Sequence, residues 1–128
     1  MREIKFRAWD KKKKLMIYKP SLIAWDKNGQ AFMDITEEGD EIEGLWIDIV
    51  MQYTGLRDKN GKEIYECDIV DVQLDWDCNG EVVFREGEYR VKLDSKHERR
   101  YDSLSLLLAN SIEIIGNIYE NKELIENK

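Results

Sequence analysis

The chain of 128 residues has one histidine, one proline, two cysteines and no apolar run of membrane-spanning length. A spanning helix needs about 20 consecutive apolar residues, so the expectation is a protein with no membrane segment. The start is charged and runs into Ile4, Phe6 and Trp9 without the apolar core of a secretory signal. A lone imidazole, His97, sits among Lys96, Glu98, Arg99 and Arg100 and reads as a solvated loop side chain. One histidine and two well-separated cysteines do not make the donor set of a zinc site. Neither a phosphate-binding loop nor a Gly-x-Ser-x-Gly elbow occurs. The expectation is no catalytic residue, no cofactor and no metal. If residues 68–76 form one straight strand, their ends lie roughly 30 Å apart at ~3.3 Å per residue. A disulfide tolerates only ~4.4–6.8 Å between Cα atoms. Cys67 and Cys78 therefore read as two thiols in a reducing, cytoplasmic compartment.

Hydrophobic residues make up 42% and aromatics 10%, too many for a disordered chain, and charged residues at 37% imply a heavily solvated surface. This is one domain's worth of chain, 1–128, with two small β subdomains of about 1–50 and 51–128 as the alternative division. A net charge of −7 argues against a protein whose main work is coating nucleic acid. The average hides an asymmetry. Seven basic side chains (Arg2, Lys5, Arg7, Lys11, Lys12, Lys13 and Lys14) crowd the first fourteen residues against Glu3 and Asp10. Residues 34–48 carry Asp34, Glu37, Glu38, Asp40, Glu41, Glu43 and Asp48 and no basic residue. Such stretches can pair within the fold or between subunits, or remain solvated turns.

The dominant period is two. Ile4, Phe6 and Ala8 alternate with Lys5 and Arg7, the chain turns at Trp9–Lys12, and Leu15–Tyr18 follows as a partner strand. Segments 21–25 and 31–35 flank Asp26-Lys27-Asn28-Gly29, an Asn-Gly hairpin signal of type I′. A second tight turn is expected at Asp58-Lys59-Asn60-Gly61. Leu45–Tyr53 reads as one long strand buried on both faces. From Asp68 to Asp77, Val70, Val72, Leu74 and Trp76 interleave with Asp71, Gln73, Asp75 and Asp77. A hairpin of 82–85 with 89–93 about Glu86-Gly87 follows, and residues 94–102 read as a polar loop. Helix is expected only late, over 104–109 with Leu104, Leu107 and Leu108 on one face, and in a final turn capped by Asn121. Ile112–Tyr119 lies between them as a strand. The fold class is mainly β, all-β to α+β, built from antiparallel hairpins with one or two short helices near the C-terminus.

One segment satisfies the calcium-loop pattern in full: Asp75, Asp77, Asn79, Gly80 and Glu86 at the required spacing. That loop needs a helix on each side. Strict alternation over Val70–Trp76 refuses the first, because on a helix it would scatter the apolar residues around every face. Val82-Val83-Phe84 refuses the second. A hairpin with the three-residue loop Asn79-Gly80-Glu81 instead sets Cys78 opposite Val82 and Trp76 opposite Phe84, which matches apolar with apolar. The interleaving of Arg7 and Trp9 with Lys11, Lys12, Lys13 and Lys14 marks a candidate single-stranded nucleic-acid surface, with rings for bases and lysines for phosphates. Against it, Phe6 lies on the core face and lysines at a hairpin tip commonly serve solubility.

Three blocks carry a resemblance: residues 2–10, residues 51–70 with Tyr53-Thr54-Gly55-Leu56-Arg57-Asp58-Lys59-Asn60-Gly61 and Cys67-Asp68-Ile69-Val70, and residues 112–121. Together and in this order they resemble the YopX-like proteins of bacteriophages and prophages. The resemblance implies a small phage protein, mostly β with a barrel-like portion, that self-associates. It implies no catalytic residues. Where the family usually has glycine before Asp-Ile-Val, this chain has Cys67, which questions a strict need for positive φ there. The expectation is therefore a non-catalytic interaction or assembly module, partnering itself or a phage or host protein, with single-stranded nucleic-acid binding as the alternative.

Overall fold

The computed structural model describes residues 3–18, 22–35, 43–47, 49–73, 77–94, 99–107 and 112–126. Its strands are β1 (Phe6–Asp10), β2 (Leu15–Tyr18), β3 (Leu22–Trp25), β4 (Ala31–Ile35), β5 (Glu43–Ile47) and β6 (Ile49–Arg57). They continue with β7 (Glu63–Tyr65), β8 (Asp68–Gln73), β9 (Asp77–Arg85), β10 (Glu88–Asp94), β11 (Arg99–Ser103) and β12 (Ile112–Asn117). The short helices are α1 (Leu104–Leu107) and α2 (Glu123–Glu126). The protein is mostly β, built from antiparallel sheets, as the period-two pattern leads one to expect. It divides into two compact units, one of Ile4–Gln52 and one of Tyr53–Lys128 with Met1–Glu3.

Within Ile4–Gln52, β1 pairs with β2 on one edge and with the start of β6 on the other. Strands β3, β4 and β5 form a separate meander. The apolar run 45–53 is thus two strands with different partners, not one. A continuous apolar run has no internal signal for a break, so periodicity could not find it. Ala8, Ile17 and Ile47 are buried together with Val50 against them. The β1–β2 turn falls at Lys11–Lys14, later than expected, because the Asp10 carboxylate accepts the N–H groups of Lys12 (2.9 Å) and Lys13 (3.3 Å).

The tetrapeptide Asp-Lys-Asn-Gly occurs twice and folds the same way twice. Gly29 N–H donates to the Asp26 carbonyl at 3.1 Å, and Gly61 N–H to that of Asp58 at 3.0 Å. Each aspartate also accepts, through Oδ1, the N–H two and four residues on, all at 2.9 Å. Only the glycine in each loop has positive φ, +83° and +81°. These are three-residue hairpins of type I closed by a left-handed glycine, not the type I′ turn expected at 26–29. The type I′ signature instead falls at Glu86 and Gly87, whose φ values are 54° and 83°. The second Asp-Lys-Asn-Gly turn is also fastened outward. Ile114 N–H donates to Asp58 Oδ2 at 3.0 Å and Lys59 N–H to the Ile112 carbonyl at 3.0 Å, tying the turn to β12.

In the unit of Tyr53–Lys128, five strands lie in the order β11-β10-β9-β8-β12. One face carries Val70, Val72, Val82, Val91 and Ile112, closed by Leu104 and Leu107 of α1. Leu108 lies outside the described residues. The expected hairpin at Asn79-Gly80-Glu81 is not there. β9 runs straight through these residues, with Asn79 opposite Asp71 and Gly80 between Val70 and Leu93. The chain reverses between the paired Gln73 and Asp77, and residues 74–76 lie outside the described ones. Gly80 answers to packing, not turning. A Cβ there would strike Val91 and come within 2.9 Å of both Leu93 Cδ2 and the Lys92 carbonyl. The hairpin also removes the straight-strand premise about the cysteines, yet they remain separate thiols. Cys67 N–H donates to the Val82 carbonyl, four residues along β9 from Cys78, or roughly 13 Å.

Two smaller expectations change. Residues 99–102, read as part of a polar loop, belong to edge strand β11 against β10; an edge tolerates the charged side chains that masked it. β12 ends at Asn117, whose Oδ1 accepts the N–H groups of Tyr119 and Glu120. Asn121 precedes α2 as expected, but its side-chain oxygen accepts the Asn117 N–H at 3.2 Å instead of capping the helix.

Candidate functional site

The basic hairpin does not present its residues together. Lys11, Lys12, Lys13 and Lys14 are exposed in the β1–β2 loop. Arg7 is 2% exposed and Trp9 8%. Both lie on the face of β1 that pairs them with Tyr18, Met16, Met51 and Ile49. The Arg7 guanidinium lies 6.0 Å from the centre of the Tyr18 ring. Alternation had implied one wet face on β1; in fact Arg7, Ala8, Trp9 and Asp10 are buried consecutively. A ring so covered offers no surface for a base to stack on. The acidic stretch 34–48 has no described side chain other than Ile47.

The calcium pattern is pulled apart by β9. Asp77 and Asn79 belong to the strand and Glu86 to the turn after it, so Asp77 and Glu86 stand about 30 Å apart along an extended chain. Asn79 uses its side-chain N–H on the Leu124 carbonyl at 3.4 Å, which anchors α2 to the sheet. Asp75 and His97 lie outside the described residues. Among the described residues no three His, Cys, Asp or Glu side chains gather as a metal would need.

Among the described residues lie two open cavities, each within one unit. The larger, about 270 Å³, lies in the unit of Tyr53–Lys128 and is lined by Thr54, Leu56, Phe84, Glu88, Tyr89 and Ser103, with Gly87 and Ser105. Phe84 and Tyr89 are cross-strand partners flanking the type I′ turn. Their rings meet edge to face, 5.1 Å between centres. Phe84 shares the apolar face with Val82 yet is 57% exposed, because the core ends before it. The hydroxyls are engaged: Thr54 Oγ1 donates to the Ile64 carbonyl at 2.7 Å and accepts the Leu56 N–H at 3.2 Å. Ser103 and Ser105 share a hydrogen bond at 3.1 Å. The Glu88 carboxylate lies 3.4 Å from Arg90 Nε. This lining sets aromatic rings beside a larger polar surface of hydroxyls and the Glu88 carboxylate. No part of it was expected from sequence, since it needs β6, the β9–β10 hairpin and α1 to meet. The one local signal was an aromatic pair spaced for opposition about Glu86-Gly87.

The smaller cavity, about 230 Å³, lies in the unit of Ile4–Gln52, between Trp25, Gly29, Gln30, Ala31, Ile47 and Val50. Trp25 is 51% exposed and packs edge-on against Phe6, 5.9 Å between centres. Gln30 is held by donating through Nε2 to the Ile47 carbonyl at 3.0 Å. On the five-stranded sheet, burial pushes the Glu81 carboxyl above its ordinary pKa, partly offset by Lys92 directly across on β10.

These features define a small, mostly β protein built from antiparallel hairpins, with an open cavity in each of its two units. The chain belongs to the YopX protein family, which it matches over residues 5–126. It is similar to protein EF1440 from Enterococcus faecalis, whose crystal structure shares 29% identity and a TM-score of 0.66. That match covers 98% of this chain and 100% of the other. The crystal structure of protein yopX from Bacillus subtilis has the same fold, at 23% identity and a TM-score of 0.69, with 98% and 100% covered. No curated protein matches the chain.

Proposed function

We propose that this is a non-catalytic interaction module, encoded by a phage or prophage, that works by assembling with itself or with a phage or host protein. The carrying observation is the Phe84–Tyr89 cavity, where the core face of the sheet runs out into solvent, with Tyr89 half-buried against the core and Phe84 exposed beside it. Leu106, 75% exposed on α1 and next in sequence to the lining residue Ser105, adds apolar surface of the kind interfaces bury. The hydroxyls of Thr54, Ser103 and Ser105 are bound to backbone or to each other, which supports a binding role over a nucleophilic one. The four exposed lysines of the β1–β2 loop favour a second reading, binding of single-stranded nucleic acid. Light scattering over a concentration series tests the first. An oligomer that Phe84→Ser or Leu106→Ser dissociates is expected. A strict monomer that also recovers no partner from infected cells would defeat it.

A further inference from the structure

The repeated Asp-Lys-Asn-Gly turn carries a chemical consequence. An asparagine followed by glycine can lose its side-chain amide without an enzyme, because glycine has no Cβ to keep the next backbone nitrogen away. The Gly29 nitrogen attacks Asn28 Cγ, its proton passes to the departing amide nitrogen, and ammonia leaves as a succinimide closes. Water then opens that ring at either carbonyl, leaving aspartate or isoaspartate. Three Asn-Gly pairs occur in the chain: Asn28-Gly29, Asn60-Gly61 and Asn79-Gly80. We propose that Asn28 is a site of spontaneous deamidation in the folded protein, and that Asn60 and Asn79 are protected by tertiary structure.

The first two sites have the same four residues and the same turn hydrogen bonds, so local chemistry cannot separate them. Their surroundings do. Asn28 and Asn60 are both exposed, but Asp26 is exposed whereas Asp58 is buried. The second turn is fastened to β12 by Lys59 N–H on the Ile112 carbonyl, Ile114 N–H on Asp58, and Asn60 Nδ2 on Glu113 Oε1 at 3.4 Å. Reaching the succinimide means bending the asparagine backbone out of its turn. At 58–62 that also breaks these contacts, and local opening governs such reactions. Gly80 sits between two strands of the ladder and opens only with the sheet. At Asn28 the product is a new carboxylate in a turn whose Gly29 and Gln30 line the Trp25 cavity, so the modification alters that surface.

The test is incubation of the full-length protein in warm, mildly alkaline buffer, then digestion and mass spectrometry for amide-to-acid conversion and isoaspartate. Asn28 should convert roughly tenfold faster than Asn60, the weight of the extra hydrogen bonds to be broken, with Asn79 slower than both. Equal rates at Asn28 and Asn60, or Asn60 ahead, would overturn the proposal. Asp58→Asn should bring Asn60 towards the rate of Asn28. Should that variant fail to fold, Glu113→Ala removes more gently the Asn60 side-chain hydrogen bond and the ion pair of Lys59 Nζ with Glu113 Oε2 at 3.5 Å, and should move the rate the same way. An unchanged Asn60 rate in a folded variant would show that the attachment to β12 is not what protects it.

Discussion

Asp58 holds three backbone N–H groups with one carboxylate, joining its own turn to β12. Burial acts to raise its pKa, but the N–H groups of Ile114, Lys62 and Asn60 and the charge of Lys62 outweigh it, holding the carboxyl below its ordinary value. A depressed folded pKa contributes stability above the unfolded value, about 3.9, and that stability is lost as pH falls through the folded one. Asp58→Asn keeps one acceptor and puts an N–H where Ile114 needs an oxygen, at a cost of about 1.5–3 kcal/mol. Urea titrations should show that deficit at neutral pH and a narrowing gap from wild type below about pH 4. A deficit independent of pH would deny the carboxylate this role. Cys67 raises a different matter, since it sits at φ +71°, where glycine is favoured. Its presence suggested from sequence that positive φ is not required there; the structure requires it and cysteine bears it. Cys67 N–H bonds the Val82 carbonyl at 2.8 Å and its carbonyl accepts Ile118 N–H at 3.0 Å, which over-determines the conformation. A left-handed non-glycine residue costs about 1–2 kcal/mol, and glycine returns part of that as chain entropy. Cys67→Gly should therefore stabilise by about 0.5–1 kcal/mol and raise the melting temperature by a few degrees. A lower melting temperature would mean that the thiol's packing matters more than the backbone.

At the level of elements, β9 shows best what a local reading can and cannot see. Asn79-Gly80 has the composition of a turn, as do Asn28-Gly29 and Asn60-Gly61, and only the last two are turns. The difference lies in residues remote in sequence: Val91 and Leu93 crowd the space a side chain at Gly80 would fill. Gly80→Ala should accordingly cost about 1–3 kcal/mol by overpacking. Combining it with Val91→Ala should recover part of that cost, a coupling of at least about 0.5 kcal/mol in a double-mutant cycle. Strict additivity would place the strain elsewhere. The strands, the 58–61 turn, the Glu86-Gly87 hairpin and the buried face of α1 were legible because each is written in neighbouring residues. The break between β5 and β6, the strand β11 and the cavity were not, since partner choice and edge position depend on contacts across the chain. The burial of Arg7 and Trp9 escaped for a related reason: alternation records two faces of a strand but not whether the second is covered.

For the whole molecule, the two functional readings make opposite predictions about salt. Each copy carries a net charge of −7, so copies repel over a Debye length of about 8 Å at physiological ionic strength. An assembly held by apolar groups such as Phe84 and Leu106, both exposed, works against that repulsion and should tighten as salt screens it. Binding of a single strand by Lys11–Lys14 instead releases counterions and must weaken with salt. The buried Trp9 and Arg7 leave those lysines without the stacking partners assigned to them from sequence. Contact with the strand then reduces to phosphate neutralisation by four charges, opposed by the field of the whole protein. The expected dissociation constant for an oligothymidylate at physiological salt is weaker than about 10⁻⁴ M, the loose end of non-specific binding. Sedimentation or light scattering from low to high salt should show mass rising, while anisotropy with a labelled strand stays flat. Micromolar binding that falls with salt and vanishes when Lys11–Lys14 become glutamine would reverse the choice between the readings. Mass falling as salt rises would instead point to an assembly joined by opposite charges, with the basic N-terminal stretch set against the acidic residues of 34–48.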